Sequence, residues 1–384
     1  MNATGEALFA ALAAELPRAL ELRRQIHLDP RVAGEEHPTT KLITSMLPDR
    51  SEIHPVAETG ILVRVGGPAA PVGIRAELDA LPVQEVTGSP WASQREGVMH
   101  ACGHDVHAAA LWAVLRAVAA TPSGPPLLAV FQPREETYPS GAGDVLASGL
   151  LGRLECSRMI GVHVQPVVEP GVVACVPGPV NASSDEFAIT VTGTSGHSAY
   201  PHRTHDPVVT LANIVMALQS VASRSVDPME PVVLGVSMLQ AGHAANTIPG
   251  TAEARGTVRA LSPTVREAVL ERLREISVDI AHAHGCEADV QIHRGDPVLV
   301  NDENLTATIA GHLRDNGIAT TGRFRSVGSD DFALYTESLP SSMLFLGTEA
   351  RSSLHAPTFL PTDADVRAVA ETMMHALVAA TATP

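Results

Sequence analysis

The chain has 384 residues, of which 45% are hydrophobic, and its 26 Lys and Arg against 42 Asp and Glu give a net charge of −16. A chain of this length is expected to fold into two domains rather than around one core. The negative charge disfavours contact with a phosphate backbone, and an aromatic content of 3% offers few stacking surfaces, so nucleic acid is not an expected partner.

The N-terminal region, residues 6–28, has the apolar spacing of an amphipathic helix. It lacks a basic segment ahead of its apolar stretch, and Glu6 and Glu15 interrupt that stretch, so we do not interpret it as a secretion signal. No run of about 18 apolar residues is evident, and we predict no membrane partner. The four scattered cysteines are then expected to be reduced thiols in the cytoplasm.

The first part of the chain alternates strand-like and helical stretches. Residues 60–65, 72–78 and 158–165 are predicted strands, and residues 105–120 a predicted helix. The segment 127–131, LLAVF, is fully apolar, as is typical of a strand buried on both faces. Strands separated by helices predict an α/β fold with a central mixed, largely parallel sheet.

The pattern then changes to β-α-β-β-α-β, which is typical of a ferredoxin-like α+β domain. Its predicted elements are strands at 186–192, 231–239, 252–260 and 288–292 and helices at about 206–224 and 263–284. From about residue 295 the α/β pattern returns and ends in a helix at 363–381. We therefore predict a catalytic domain of residues 1–178 and 294–384, with residues 179–293 inserted as a lid or dimerisation domain.

The segment MHACGHDVH, residues 99–107, concentrates side chains that bind metals. Three His, one Cys and one Asp fall within eight positions, and these are the ligand types that a borderline transition metal prefers. In an extended loop, the spacing of Cys102 and His104 directs both side chains to the same side. The ordinary alternative for Cys102 is a small buried apolar residue.

Two adjacent carboxylates, Glu135 and Glu136, follow the predicted strand 127–131 in the segment FQPREE. The end of such a strand is where α/β sheets place their ligands. Side by side in a low-dielectric cleft, both carboxylates would resist ionisation unless cations balance them. One metal ligand and one general base is the natural division, although the pair taken alone also fits a solvated acidic turn.

Two further histidines are weaker signals. His163 lies in the otherwise apolar strand GVHVQP, where an imidazole needs a hydrogen bond or a metal. His355, in SSLHAPTF, is distant in sequence but belongs to the returning α/β segment.

The inserted domain carries polar motifs of its own. GTSGHSAYPH contains His197 and His202, and AANTIP contains Asn246. Polar side chains in a strand-turn context can stabilise an oxyanion. Ordinary turn capping explains Asn246 about as well.

Taken together, these segments resemble the M20 metallopeptidase superfamily. They resemble more narrowly its amidohydrolase branch, which includes hippurate hydrolases, auxin-conjugate hydrolases and bacterial N-acyl-amino-acid deacylases. The resemblance runs over nearly the whole chain through nine segments in the same order: RRQIHLDP, IRAELDALPVQE, MHACGHDVHAAA, FQPREE, GVHV, GTSGHSAYPHRTHDP, ANTIPGTAEARGTVR, VGSDDFA and LHAPTF.

The resemblance implies a dinuclear metal site with five ligands, namely Cys102, His104, Glu136, His163 and His355. It implies that Glu135 is the general base, and that His197 and Asn246 contact the carbonyl oxygen of the substrate or the oxyanion. Arg259 is implied as a partner of a substrate carboxylate. In relatives the inserted domain mediates dimerisation, so a homodimer is expected.

Several positions depart from the family pattern. Glu77 stands where this branch usually has Asp, and Arg31 stands where relatives often have Glu. Gln165 replaces a frequent aromatic residue, and Asp330 replaces a common Glu. The implied ligands are unaffected by these differences.

These observations predict a metal-dependent amidohydrolase that cleaves N-acyl amino acids to a carboxylate and a free amino acid with an activated water. Zn, Mn, Ni and Co all suit the ligand set. A dipeptidase or carboxypeptidase of the same superfamily is the first alternative. A catalytically silent dimeric metal-binding scaffold is the second, and retention of Glu135 beside a full ligand set argues against it.

Overall fold

The computed structural model describes residues 3–48, 51–122, 124–350 and 352–382. Its helices are α1 (Ala3–Leu28), α2 (His37–Ser45), α3 (His104–Ala120), α4 (Gly141–Ala147), α5 (Leu150–Arg153), α6 (Pro207–Ser220), α7 (Pro263–Ala283), α8 (Glu303–Asp315), α9 (Ala333–Thr336) and α10 (Asp363–Ala382). Its strands are β1 (Glu52–Val56), β2 (Gly60–Val65), β3 (Val72–Glu77), β4 (Leu127–Gln132), β5 (Arg158–Gln165), β6 (Val173–Ala174), β7 (Gly178–Asn181), β8 (Asp185–Thr192), β9 (Gly196–His197), β10 (Val232–Ala241), β11 (Thr247–Ile248), β12 (Thr251–Ala260), β13 (Glu287–Arg294), β14 (Leu299–Asn301), β15 (Thr320–Thr321) and β16 (Ser341–Gly347).

The chain divides into two compact units. The first unit comprises Met1–Gly178, Val300–Phe324 and Leu334–Pro384, and the second comprises Pro179–Leu299 and Arg325–Ala333.

An eight-stranded sheet, ordered β1-β2-β4-β3-β5-β16-β6-β15, forms the centre of the first unit. The inner pairs β4–β3, β3–β5 and β5–β16 are parallel, whereas β1–β2 and β2–β4 are antiparallel. This sheet confirms the predicted α/β class. The edge strand β1 was not predicted, because its sequence, EIHPV, contains a proline and is mostly exposed.

The core of the first unit is formed by this sheet and the helices that pack on it. Helix α3 packs against α1 and α10, and all three contribute side chains to one apolar cluster with the strands. The sequence of α3 is rich in alanine, and its side chains are buried on nearly every face. Small side chains let neighbouring helices approach closely, so α3 is fixed at the centre of the unit with its first residue, His104, beside the sheet.

The second unit contains a four-stranded antiparallel sheet in the order β10-β12-β8-β13. Two helices, α6 and α7, pack on this sheet, and the arrangement is the predicted ferredoxin-like one. Each helix begins where its sequence predicts, because Asp206 and Ser262 accept hydrogen bonds from the first-turn N–H groups and a proline follows each.

One helical stretch, Pro207–Ser225, is long and apolar enough to cross a membrane when length and composition alone are considered. Its buried side chains, which include Leu211, Ile214 and Leu218, recur at the three- and four-residue spacing of a helix that packs on a protein core. A single stretch of this kind is weak evidence for a membrane span.

Candidate metal centre

Cys102 and His104 lie on the turn that leads into α3, and both side chains are buried. The prediction of an extended loop here was wrong: Gly103 is left-handed, with φ of +84°, and His104 is already the first helical residue. A Cβ atom on residue 103 would lie 2.6 Å from Cγ2 of Val164, so glycine is needed for both the backbone angle and the close approach. The turn nevertheless brings the two side chains to one cluster.

The His104 imidazole is oriented by the backbone. Its Nδ1 donates to the carbonyl oxygen of Asp79 at 2.8 Å, which leaves Nε2 with a lone pair when the ring is neutral. That Nε2 is buried and has no hydrogen-bond partner among the described residues. Burial opposes charging of the ring, but the hydrogen bond to Asp79 and the carboxylates of Glu77, Asp79 and Glu136 raise the pKa of His104 to about 10. The surroundings of this nitrogen therefore favour a positive charge.

His163, on β5, is oriented in the same way. Its Nδ1 donates to the carbonyl oxygen of Val164 at 2.7 Å, and its Nε2 lies 3.4 Å from Sγ of Cys102. Burial lowers the pKa of His163 well below its usual value, so the ring is neutral with its Nε2 lone pair directed at the thiol. Burial and the nearby carboxylates of Glu136 and Glu135 raise the pKa of the Cys102 thiol. A bound cation would counter the raised pKa of the thiol and would keep the imidazole neutral.

The two adjacent glutamates lie on the turn after β4, and both reach the cluster. Oε2 of Glu135 is 3.9 Å from Nε2 of His104. The N–H of Glu136 donates to Oδ2 of Asp79 at 2.9 Å, which fixes the turn to the end of β3. Oε1 of Glu136 is buried and makes no hydrogen bond within the described part of the chain.

His355 completes the group from the C-terminal part of the first unit. Its backbone N–H donates to the carbonyl oxygen of Ala101 at 2.9 Å, and its Nε2 lies 3.3 Å from Oε1 of Glu136. The residue has a positive φ of 65°, and its side chain is 52% exposed, whereas that of Glu136 is 13% exposed. His355 therefore marks the open side of the cluster.

These side chains suit a metal ion. Ligand atoms of Cys102, His104 and Glu136 lie within 4.8 Å of one another, while His163 contacts the thiol and His355 the carboxylate. A thiol, imidazole lone pairs and a carboxylate form a donor set for a borderline divalent metal. The bonds from Nδ1 of His104 and His163 to backbone carbonyls are the outer contacts that metal-binding histidines usually make.

Three residues next to the cluster were not assigned roles from the sequence. Asp79 accepts hydrogen bonds from the His104 ring and from the N–H of Glu136. Its position at a strand end, two residues after Glu77, was the feature of the sequence that could have indicated this role. Glu77 is buried, forms an ion pair with Arg75 and accepts from Nδ1 of His107 at 2.8 Å. Nε2 of His107 accepts the N–H of Val164 at 3.0 Å, so both of its ring nitrogens are already used.

The other predicted site residues lie in the second unit. His197 and Asn246 are exposed neighbours, because β9 pairs with β11 and the N–H of Ser198 donates to the carbonyl oxygen of Asn246. Nδ1 of His197 accepts the N–H of Ala199 at 3.1 Å. Arg259, on β12, is half-buried and donates to Oγ of Ser329 at 3.0 Å.

The sequence is similar to a known family along most of its length. The sequence model of Peptidase family M20/M25/M40 matches residues 73–379. The N-acetyldiaminopimelate deacetylase of Exiguobacterium sibiricum is 35% identical over 363 residues, which cover 93% of this chain and 98% of that protein. The N-acetyl-L-cysteine deacetylase of Bacillus subtilis is 34% identical over 345 residues, which cover 88% of this chain and 82% of that protein.

Solved structures show the same relationship. The YXEP protein of Bacillus subtilis, described as a dinuclear metal binding peptidase from the M20 family, matches with a TM-score of 0.84 at 31% identity and covers 95% of this chain and 98% of its own. A structure from methicillin resistant Staphylococcus aureus has a TM-score of 0.93 at 28% identity and covers 98% of this chain and 99% of its own.

The fold and the Cys-His-carboxylate cluster define this protein as a metal-binding hydrolase of amide C–N bonds. The chain belongs to Peptidase family M20/M25/M40, which confirms the resemblance predicted from the sequence.

Proposed function

We propose that this protein hydrolyses the amide bond of N-acyl amino acids and releases a carboxylate and a free amino acid. The observation that carries this proposal is the group of Cys102, His104 and Glu136 with the carboxylate of Glu135 beside it. The names of the two relatives, deacetylases of N-acetyldiaminopimelate and N-acetyl-L-cysteine, support this substrate class.

Two divalent ions, of Zn, Mn, Ni or Co, are proposed as the cofactors. Their ligands would be Cys102, His104, Glu136, His163 and His355. When bound, such ions supply a water molecule acidified enough to yield hydroxide near neutral pH. The buried position of Cys102, His104 and His163 and the exposed position of His355 support a site that is open to substrate from one side.

Glu135 is proposed as the general base. It reaches the cluster, where its Oε2 lies 3.9 Å from Nε2 of His104, one of the proposed ligands. Its carboxylate would accept a proton from the attacking water and donate it to the nitrogen of the departing amine. One carboxylate can perform both steps, because the proton that it takes in the first is the proton that it returns in the second.

His197 and Asn246 are proposed to stabilise the negative charge that develops on the carbonyl oxygen. Because Nδ1 of His197 accepts a backbone N–H, the neutral ring carries its own hydrogen on Nε2 and presents a donor. Arg259 is proposed to bind the substrate carboxylate. Ser329 accepts from one of its nitrogens, and a guanidinium has five N–H donors in all.

We also propose that the protein is a cytoplasmic homodimer that associates through the second unit. Helix α6 exposes apolar side chains there, since Val208, Val209 and Met216 are 41%, 50% and 72% exposed. All four cysteines are free thiols, as expected in a reducing compartment. Sedimentation at micromolar and nanomolar concentrations tests the dimer, and a fully active monomer would contradict it.

A substrate panel tests the proposed activity. Purified protein reconstituted with Zn, Mn, Ni or Co is assayed for release of free amine from N-acetyl amino acids, N-benzoyl amino acids and dipeptides. We expect the highest kcat/KM among the N-acyl amino acids. A preference for dipeptides would replace the proposal with a peptidase activity, and no turnover with any metal would reject hydrolysis of these substrates.

A further inference from the structure

The turn that carries Glu135 and Glu136 has an unusual backbone. Successive side chains of an extended strand point to opposite faces, yet both glutamates reach the same cluster. The change of direction occurs at Arg134, which has a positive φ of 54°. A residue with a Cβ atom adopts this conformation only when its surroundings hold it there.

Contacts on both sides of Arg134 hold the backbone of this turn. The N–H of Gly141 donates to the carbonyl oxygen of Arg134 at 2.9 Å, and a Cβ atom on residue 141 would lie only 1.8 Å from the carbonyl oxygen of Pro133. Beyond the turn, the N–H of Glu136 donates to Asp79. The N–H of Arg134 is the remaining backbone polar group at this residue, whose guanidinium pairs with Asp144.

That N–H donates to Oε1 of Glu36 at 3.0 Å, across 98 positions of sequence. Glu36 is fully buried, and its Oε2 accepts the hydroxyl of Thr59 at 2.8 Å. Its hydrogen-bond donors are a hydroxyl and backbone N–H groups rather than a cation. A buried carboxylate without a paired cation is costly unless hydrogen-bond donors surround it, so these contacts fix the position of the Glu36 side chain.

Capping of its own helix does not explain Glu36. The residue occupies the N-cap position of α2, but its side chain makes no capping hydrogen bond there. Instead it extends away from α2 to the turn after β4. The adjacent Glu35, which has the same charge, is exposed.

We propose that Glu36 is a positioning residue that holds Arg134 in its left-handed conformation and thereby directs Glu135 and Glu136 at the metal centre. The inference rests on the proposed function, because it takes Glu135 as the base. Glu36 acts through the backbone of Arg134 and touches neither the substrate nor a metal ligand.

Hydrogen exchange at the Arg134 amide, measured on the full chain without substrate, is the first test. Glu36→Ala should accelerate this exchange roughly tenfold, as expected for the loss of one buried hydrogen bond. Glu36→Gln should stay close to wild type, because its amide oxygen still accepts the Arg134 N–H and Thr59 can rotate to accept from its amide nitrogen. Glu35→Ala is the matched control and should leave the exchange unchanged.

Kinetics on the best N-acyl amino acid substrate is the second test. Glu36→Ala should lower kcat by roughly 10- to 100-fold with little change in KM, because a misplaced base slows chemistry more than binding. Metal affinity, measured by equilibrium dialysis, should fall as well because Glu136 shares the turn. Glu36→Gln should restore most of kcat. If Glu36→Ala does not fold, Thr59→Val takes its place, and an exchange increase of a few-fold is expected.

Wild-type exchange at Arg134 in Glu36→Ala, or in Thr59→Val as its substitute, would overturn the proposal. So would accelerated exchange with an unchanged kcat. Failure of the proposed function is distinguishable from these outcomes: if Glu135→Gln keeps its turnover, Glu135 is not the base, whereas the exchange measurement still reports whether Glu36 holds the turn.

Discussion

The histidines of the two units use their Nδ1 atoms in opposite ways. In the first unit, Nδ1 of His104 and of His163 donates to a backbone carbonyl, so Nε2 of the neutral ring offers a lone pair. In the second unit, Nδ1 of His197 accepts a backbone N–H, so Nε2 carries a hydrogen. These hydrogen bonds suit the first two rings to the proposed role of binding a cation and the third to the proposed role of donating to an anion. Which chemistry a histidine performs is decided by the backbone group that its other nitrogen meets.

The largest effect should come from substitution of Glu135, whose carboxylate lies beside the imidazole of His104. Glu135→Gln has nearly the same shape but cannot accept a proton, so kcat should fall by at least 10²–10⁴-fold with metal content unchanged. Elemental analysis and steady-state kinetics on the same preparation check both statements. Near-wild-type kcat in the metal-loaded variant would remove Glu135 from the proton transfer.

Removal of the His197 imidazole, the proposed hydrogen-bond donor, should have the next largest effect. His197→Ala should lower kcat by roughly 10²–10³-fold, as for the loss of one oxyanion donor, and leave metal content intact. His202→Ala is the matched control, since this exposed histidine belongs to the same motif. A metal deficit in His197→Ala would break the comparison between the units, because it would make this ring a ligand.

The cluster of the first unit can be tested through its thiol. Cys102→Ser should weaken metal binding by roughly tenfold or more, because a hydroxyl is a much poorer ligand than a thiolate. Cys175→Ser is the control, since this thiol is also buried in the first unit but lies outside the cluster. Equal affinities of the two variants in equilibrium dialysis would reduce Cys102 to a packing residue.

The smallest effect concerns a histidine of the first unit that lies outside the cluster. Burial, and then the neighbouring His312, lower the pKa of His375 to about 4. Between pH 6.5 and 4 the unfolded chain therefore binds a proton that the folded chain does not, so the free energy of unfolding falls as the pH falls through this window.

His375→Gln should flatten this dependence by at most one proton, which is about 1.4 kcal/mol per pH unit. Urea unfolding at pH 6.5, 5.5 and 4.5 measures the slope, and His293→Gln, at an exposed position on β13, serves as the control. An identical slope in wild type and His375→Gln would show that His375 titrates alike in the folded and unfolded chain.

The sequence predicted the regular elements and the local part of the cluster well, and for a physical reason. The helices α6 and α7 begin directly after Asp206 and Ser262, whose capping preferences are local. Cys102 and His104 were found because they are close in sequence. Their backbone was predicted wrongly, since Gly103 adopts its left-handed conformation in close contact with Val164, which is remote in sequence.

Residues whose roles depend on remote contacts could not be predicted in this way. His355 was placed with the ligands only through the family resemblance, and its contact with Glu136 is now visible in the geometry. Glu35 and Glu36 are adjacent and chemically identical, and only the folded chain buries one and exposes the other. Burial of a single carboxylate depends on segments far along the chain, which no local pattern records.

His107 has one further consequence for the shape of the sheet. The pairing of β3 with β5 ends at Arg75 and Gly161, and the next available contact, from the N–H of Val164, goes to the His107 ring. The imidazole, rather than a neighbouring strand, therefore accepts this N–H beyond the point where the pairing of β3 with β5 ends. A side chain of α3 thus caps the pairing of two central strands, and through its Nδ1 the same ring also holds Glu77 at the end of β3.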